Sequence, residues 1–193
     1  MVPVLHDQSD HEVILPGGLC DDVFMATSDA ASERESIRRG LGGLGDAWQR
    51  LAQAGAKYHF VPLTEFCWWA ISLDDLLPGV IADYASKRDA DEDGRVVSGL
   101  RYVRNALGHA GLVVTRTEGG LSLPISLPLT VNGPLVAYWV EAIDLAVDLP
   151  QPKNQERYEQ WVAGRELRTT TYQARRWLES QVAAMDRESG YNE

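Results

Sequence analysis

Between residues 37 and 51, apolar side chains recur at spacings of four, three, four and three: Ile37, Leu41, Leu44, Trp48 and Leu51. That period places them on one face of a helix. Ser32 followed by Glu35 is a capping-box pattern, so the helix is expected to begin near Ser28 or Asp29. Residues 1–28 are rich in Pro, Gly and Asp and have no helical period; they read as an irregular arm with one short strand over 12–15. A second helix opens at Pro62 with Thr64 as a cap, and Phe66, Trp69, Leu73, Leu77 and Val80 form its main stripe. Trp68, Ile71 and Leu76 make it apolar nearly all round, as expected of a central or partner-facing helix. Pro78–Gly79 should kink or split it. A third helix has an acidic start at Asp89–Glu92, and Val96, Leu100, Val103, Leu107 and Ala110 then repeat at four, three, four and three.

The pattern changes after this helix. Residues 112–117 and 121–127, around Glu118–Gly119–Gly120, read as a β-hairpin, and Asn132–Gly133 is a second turn signal. Residues 135–149 stay open: Tyr138–Val140 suits a strand, while Trp139, Ile143 and Val147 keep a helical spacing. Pro150 and Pro152 mark a break. Two helices follow over 154–164, with Gly164 at a C-cap, and over 169–185, and residues 187–193 read as a frayed tail. The expected fold is mainly α, one domain over 29–186, with a β-hairpin over 112–134 inserted after the third helix.

Composition narrows the class. The 193 residues are 45% hydrophobic and 24% charged, and no stretch reaches the apolar length of a membrane span. The acidic N-terminus lacks the basic region of a signal peptide. Of the two cysteines, Cys20 and Cys67, the second sits in an apolar run beside Trp68, which favours a buried free thiol over a disulfide. These features point to the cytoplasm. The net charge of −10 argues against broad, charge-driven binding to nucleic acid and leaves room only for a local basic site.

The candidate chemistry is sparse. Gly40–Leu41–Gly42–Gly43–Leu44–Gly45 spells a dinucleotide fingerprint, but it lies inside a helical pattern with Arg38–Arg39 where a strand should be. Close helix packing accounts for these glycines better. Asp74–Asp75 is a carboxylate pair whose members point roughly 100° apart on a helix. They read as surface or helix-end acids, and Asp75 as a control position away from the Arg104–His109 motif. The four histidines have no metal-ligand spacing, so neither a metal nor a cofactor is expected. On the third helix, Arg104 falls at the edge of the apolar stripe. Arg101, Asn105 and His109 form a polar line on the far side, where Glu and Lys are more usual, with Gly108 leaving the backbone open beside His109.

At Arg104–Asn105–Ala106–Leu107–Gly108–His109 the chain resembles the HEPN superfamily of helical domains, whose motif is Arg, four to six residues, then His, often with a polar residue after the Arg. The setting is similar too: an aromatic-rich helix over 66–75 precedes the motif helix. The likeness covers roughly residues 30–110; the N-terminal arm and the hairpin lie outside that family's common core. The resemblance implies an antiparallel helical bundle and a homodimer whose two motifs line one cleft. It further implies metal-independent endoribonuclease activity of the toxin or phage-defence kind, with a cognate antitoxin or other protein as partner. In that chemistry the ribose 2′-hydroxyl attacks the phosphate. His109 serves as general acid or base, Arg104 stabilises charge on the phosphate oxygens, Asn105 orients His109 or the substrate, and Arg101 contacts the RNA. Arg104 and His109 lie roughly 140° apart on one straight helix, which suits a site completed across a two-fold axis. The other reading is a non-catalytic helical dimer that binds a protein or nucleotide.

Overall fold

A computed structural model of the chain describes residues 21–55, 58–109, 114–119, 136–145 and 152–189; for 21–30 and His109 it describes the backbone alone. Six α-helices dominate the described residues: α1 (Asp21–Gln53), α2 (Phe60–Leu76), α3 (Tyr84–Ala90), α4 (Glu92–His109), α5 (Pro152–Trp161) and α6 (Leu167–Glu188). Two short strands, β1 (Thr115–Glu118) and β2 (Val136–Trp139), separate α4 from α5. The mainly α fold with a small antiparallel β element after α4 is as expected. Among the described residues, no helix is long and apolar enough to cross a membrane.

The helices pack through the stripes that the periodicity marks. Ile37, Leu44 and Leu51 of α1 are buried, with Leu41 and Trp48 partly so. Contacts between α1 and α2 run Arg50 to Glu65, Gly43 to Trp69 and Gly40 to Leu73, so these two helices are antiparallel. Those between α1 and α6 run Arg38 to Asp186, Trp48 to Tyr172 and Ala52 to Arg168, in the same sense. Helix α4 is central, touching α2, α3, α5 and α6, and buries Val96, Leu100, Val103 and Ala106. Two of the four glycines of α1 allow close packing, since a Cβ at Gly43 would stand 2.5 Å from the Trp69 ring and one at Gly40 3.1 Å from Leu73, whereas Gly42 and Gly45 meet nothing within 4 Å. A tighter crossing lies at Gly94, where a Cβ would come within 2.4 Å of the Arg88 carbonyl oxygen.

Several boundaries differ from expectation. Helix α1 begins at Asp21, inside the segment read as an irregular arm, so Ser32 and Glu35 lie within the helix and form no cap. The expected strand over 12–15 lies outside the described residues. Pro78 and Gly79 do end α2, in a 3-10 turn over Leu77–Gly79, but the seven-residue α3 that follows has no apolar period to announce it. β1 pairs with β2 in antiparallel register, Thr115 opposite Trp139 and Glu118 opposite Val136. Its expected partner, 121–127, and the turn at Asn132–Gly133 lie outside the described residues. The open choice at Tyr138–Val140 resolves as strand for Tyr138 and Trp139, with Val140 just beyond β2 and Ile143 in a 3-10 turn over Ala142–Asp144. Trp139 donates its backbone N–H to the Arg165 carbonyl (3.0 Å) and accepts from Gly164 N–H (3.2 Å), which docks β2 on the α5–α6 turn. Gly164 adopts φ +69° there, the left-handed conformation that favours glycine.

Cys67 is buried as a free thiol in this core, and burial pushes its pKa from 9.0 up to about 12. The phenols of Tyr84 and Tyr158 are raised above their usual range, first by burial and then by Asp74 and Glu141 respectively. A group whose pKa rises on folding keeps its full contribution below its unfolded value and loses it as pH climbs above that value. Stability should therefore fall from about pH 9 upward, by as much as roughly 1.4 kcal/mol per pH unit for each group in play. Urea unfolding at pH 8 and pH 10.5 measures this, and Cys67→Val should remove the part that sets in first. Equal stability at the two pH values would contradict it.

Candidate functional site

Helix α4 carries the motif at its C-terminal end and has His109 as its last residue. Arg104 and His109 are about 7.5 Å apart along the helix axis. A Cβ at Gly108 would meet nothing within 4 Å, so the backbone next to His109 is open, as expected.

The arginines of α4 do not all project into solvent. The Arg101 Nη2 donates to Asp74 Oδ2 and to Asp75 Oδ1, each at 2.6 Å. Asp74 has a fully buried side chain. It also accepts from the Tyr84 hydroxyl (2.9 Å) and from Arg88 Nη1 through both oxygens (3.0 and 2.9 Å). Arg104 Nη2 lies 3.7 Å from Asp75 Oδ2, and its guanidinium carbon sits 5.2 Å from the centre of the Trp68 ring. The Arg104 Nε is buried with no hydrogen-bond partner among the described residues. At the other end, Arg88 Nε donates to Asp89 (3.0 Å), which also accepts from Arg157 of α5 (2.9 Å).

This corrects two expectations. Asp74 is buried and no surface acid, while Asp75 is half-exposed near the end of α2 as expected, yet neither is remote from the motif: both are counter-ions of its helix. Adjacent residues diverge on a helix, so Asp74 turns into the core and Asp75 toward Arg104, while Arg101 bridges them. Arg101, in turn, is part of no solvated polar line. It is half-buried against α2 and its charge is committed. Burial opposes the charge on Arg88 and Arg101, but the surrounding carboxylates outweigh it and hold both above the usual guanidinium range.

The contacts form one alternating chain: Arg157, Asp89, Arg88, Asp74, Arg101, Asp75, Arg104. It joins α5, α3, α2 and α4 and contains four guanidiniums to three carboxylates. One positive charge is left over. It resides at Arg104, because that terminal contact is much the longest and the other terminal contact, Arg157 to Asp89, is a full hydrogen bond. Arg104 is also accessible, with a side chain 25% exposed beside a half-exposed Asp75. An acidic protein thus keeps a local cationic point at the motif arginine.

From the sequence, Asp74 stands out only as one of a pair of surface or helix-end acids and Trp68 only as part of an apolar helix, and neither Tyr84 nor Arg88 is singled out. The i, i+4 spacing of Tyr84 and Arg88 was a usable signal for a short helix with both side chains on one face. Among the described residues, no group of three or more His, Cys, Asp or Glu is placed to hold a metal ion. Compared with known proteins, the chain matches no family description, no curated protein and no solved structure.

Proposed function

We propose that the chain is a HEPN-like, metal-independent endoribonuclease that works as a homodimer. The observation that carries this reading is the surplus positive charge at Arg104, on the same helix end as Asn105 and His109. A cation held in place by Asp75 and Trp68 is suited to an incoming phosphodiester, whose charge grows as the reaction proceeds. His109 takes the proton from the ribose 2′-hydroxyl, and the 2′-oxygen bonds to phosphorus. The bond from phosphorus to the 5′-oxygen then breaks, and that oxygen receives a proton from the second copy's motif. The products are a 2′,3′-cyclic phosphate and a 5′-hydroxyl. Arg101 acts through Asp75, holding the carboxylate that aligns Arg104. On this reading the protein belongs to a toxin or phage-defence system in the cytoplasm, with a cognate antitoxin or another protein as partner.

The test is incubation of the pure protein with a varied pool of single-stranded RNA in excess EDTA. Cleavage with 2′,3′-cyclic phosphate ends is expected, and an uncut pool would overturn the reading. Light scattering at micromolar concentration should give the mass of a dimer; a monomer would remove the completed cleft.

A second reading has its own observation. Arg101 and Arg104 of the motif helix already have carboxylate partners, which suits a non-catalytic helical dimer that binds a protein or nucleotide. Cleavage that survives unchanged in His109→Ala, or no cleavage at all, favours it.

A further inference from the structure

On the face of α2 next to Arg104, the antiparallel pair α1 and α2 leaves an open groove of about 520 Å³. Its walls are Trp68 and Trp69, and its polar edge is Asp46, Arg50 and Glu65. The Trp69 ring packs against α1 at Gly43, where any side chain would collide with it. The two indoles remain 46% and 41% exposed, whereas their neighbours Phe66, Cys67, Ala70 and Ile71 are fully buried. Neighbours on a helix diverge by roughly 100°, so the rings make two walls and do not cover one another. Large aromatic faces left uncovered at a groove mark a binding surface.

The chemistry around the indoles restricts what can bind. Trp68 is shared with the motif, since the Arg104 guanidinium lies over its ring. A planar group stacked on this indole therefore brings any attached anion to the surplus charge at Arg104. Glu65 is taken up by Arg50, whereas Asp46 makes no ion pair among the described residues. A free carboxylate at the groove edge accepts from N–H donors and repels carbonyl oxygens. A flat π-system with adjacent N–H donors and a linked phosphate is a nucleotide bearing guanine, whose N1–H and N2–H lie side by side. Uracil places carbonyls beside its one donor and fits poorly.

We propose that this groove is a base subsite that takes an unpaired guanine of the RNA strand, stacked on Trp68 and held by Asp46. It rests on the ribonuclease reading for the strand, but its test reads binding alone. Labelled RNA decamers, one containing guanine and one of uridine only, are titrated with the full chain carrying His109→Ala, so that nothing is cut, and followed by fluorescence anisotropy. The guanine-containing decamer should bind more tightly. Trp68→Ala should weaken it roughly tenfold, the scale of one lost base stack, while Trp68→Phe retains most of the affinity. Asp46→Asn should bring the guanine decamer down toward the uridine decamer and leave the latter unchanged. Circular dichroism melting confirms that each variant is folded. Equal binding of the two decamers, no binding of either, or a Trp68→Ala variant that binds as well as its parent would overturn the proposal. Displacement of the decamer by GMP at the decamer's own concentration would overturn a strand subsite in favour of a free nucleotide. Guanine-dependent binding with an uncut pool would keep the subsite and sink the nuclease; cleavage indifferent to Trp68 and to guanine would do the reverse.

Discussion

Asp74→Ala is expected to lower the free energy of unfolding by about 3–5 kcal/mol, the range for removing one partner of a buried ion pair. The Asp74 carboxylate is fully buried and accepts from Tyr84, Arg88 and Arg101. Without it, the Arg88 guanidinium, itself only 11% exposed, loses its buried counter-ion and keeps only the half-exposed Asp89. The Tyr84 hydroxyl loses its acceptor as well. A domain of ordinary stability has only about 5–15 kcal/mol to lose, so the variant should be partly unfolded at 37 °C. Tyr84→Phe removes one of the donors to this buried carboxylate and should cost about 1.5–3 kcal/mol. Asp74→Asn keeps the volume and some of the hydrogen bonds and should fall between the two. Urea denaturation followed by circular dichroism ranks them. An Asp74→Ala protein within 1 kcal/mol of wild type, against the several kcal/mol expected of a buried charge, would mean that water reaches these arginines and the network carries little.

His109→Ala should slow RNA cleavage by roughly a hundredfold or more, the usual contribution of a general acid or base. Arg104→Ala should cost a comparable factor through lost charge stabilisation. Asn105→Ala should cost less, because it orients and does not transfer the proton. Asp75 is unsuitable as a control for this series, since it touches both Arg101 and Arg104. Arg39→Ala serves instead; its side chain is 79% exposed on α1 and, among the described residues, it pairs only with Glu35 one turn away. Initial rates on a labelled oligonucleotide in EDTA, with melting curves for each variant, make the measurement. A His109→Ala protein that cuts as fast as wild type would exclude the histidine from the chemistry, whatever the other variants do.

The helices were legible in the sequence because their signal is local. Val96, Leu100 and Val103 repeat with the pitch of a helix, and a repeating apolar stripe needs a core to cover it, whichever residues supply that core. Pro78 removes a donor and ends α2 from within its own turn, and Gly164 turns the chain after α5 through a backbone angle that few other residues adopt. The glycines of α1 likewise announced a close neighbour without naming it. Arg104, Asn105 and His109 could be placed on one helix end for the same reason.

What lay beyond the sequence concerns partners distant in the chain. Asp74 and Asp75 adjoin, and spacing alone says only that they diverge. Their roles as buried hub and motif counter-ion come from Arg88 and Arg101, fourteen and twenty-seven residues away, as the hydrogen-bonded pairs show. Helix α3 has no stripe of its own; Tyr84 and Arg88 hold it to a carboxylate that only the packed α2 presents. β1 offers an edge that several segments could match, and the choice of Val136–Trp139 follows from Trp139 docking on the α5–α6 turn. Trp69 reads as a core residue by period, yet Gly43 across the helix pair lets it pack against α1 and line a groove. Local periodicity is set by bonds along the chain, whereas charge pairing, strand partnership and the exposure of a face are set by whatever the rest of the fold brings opposite.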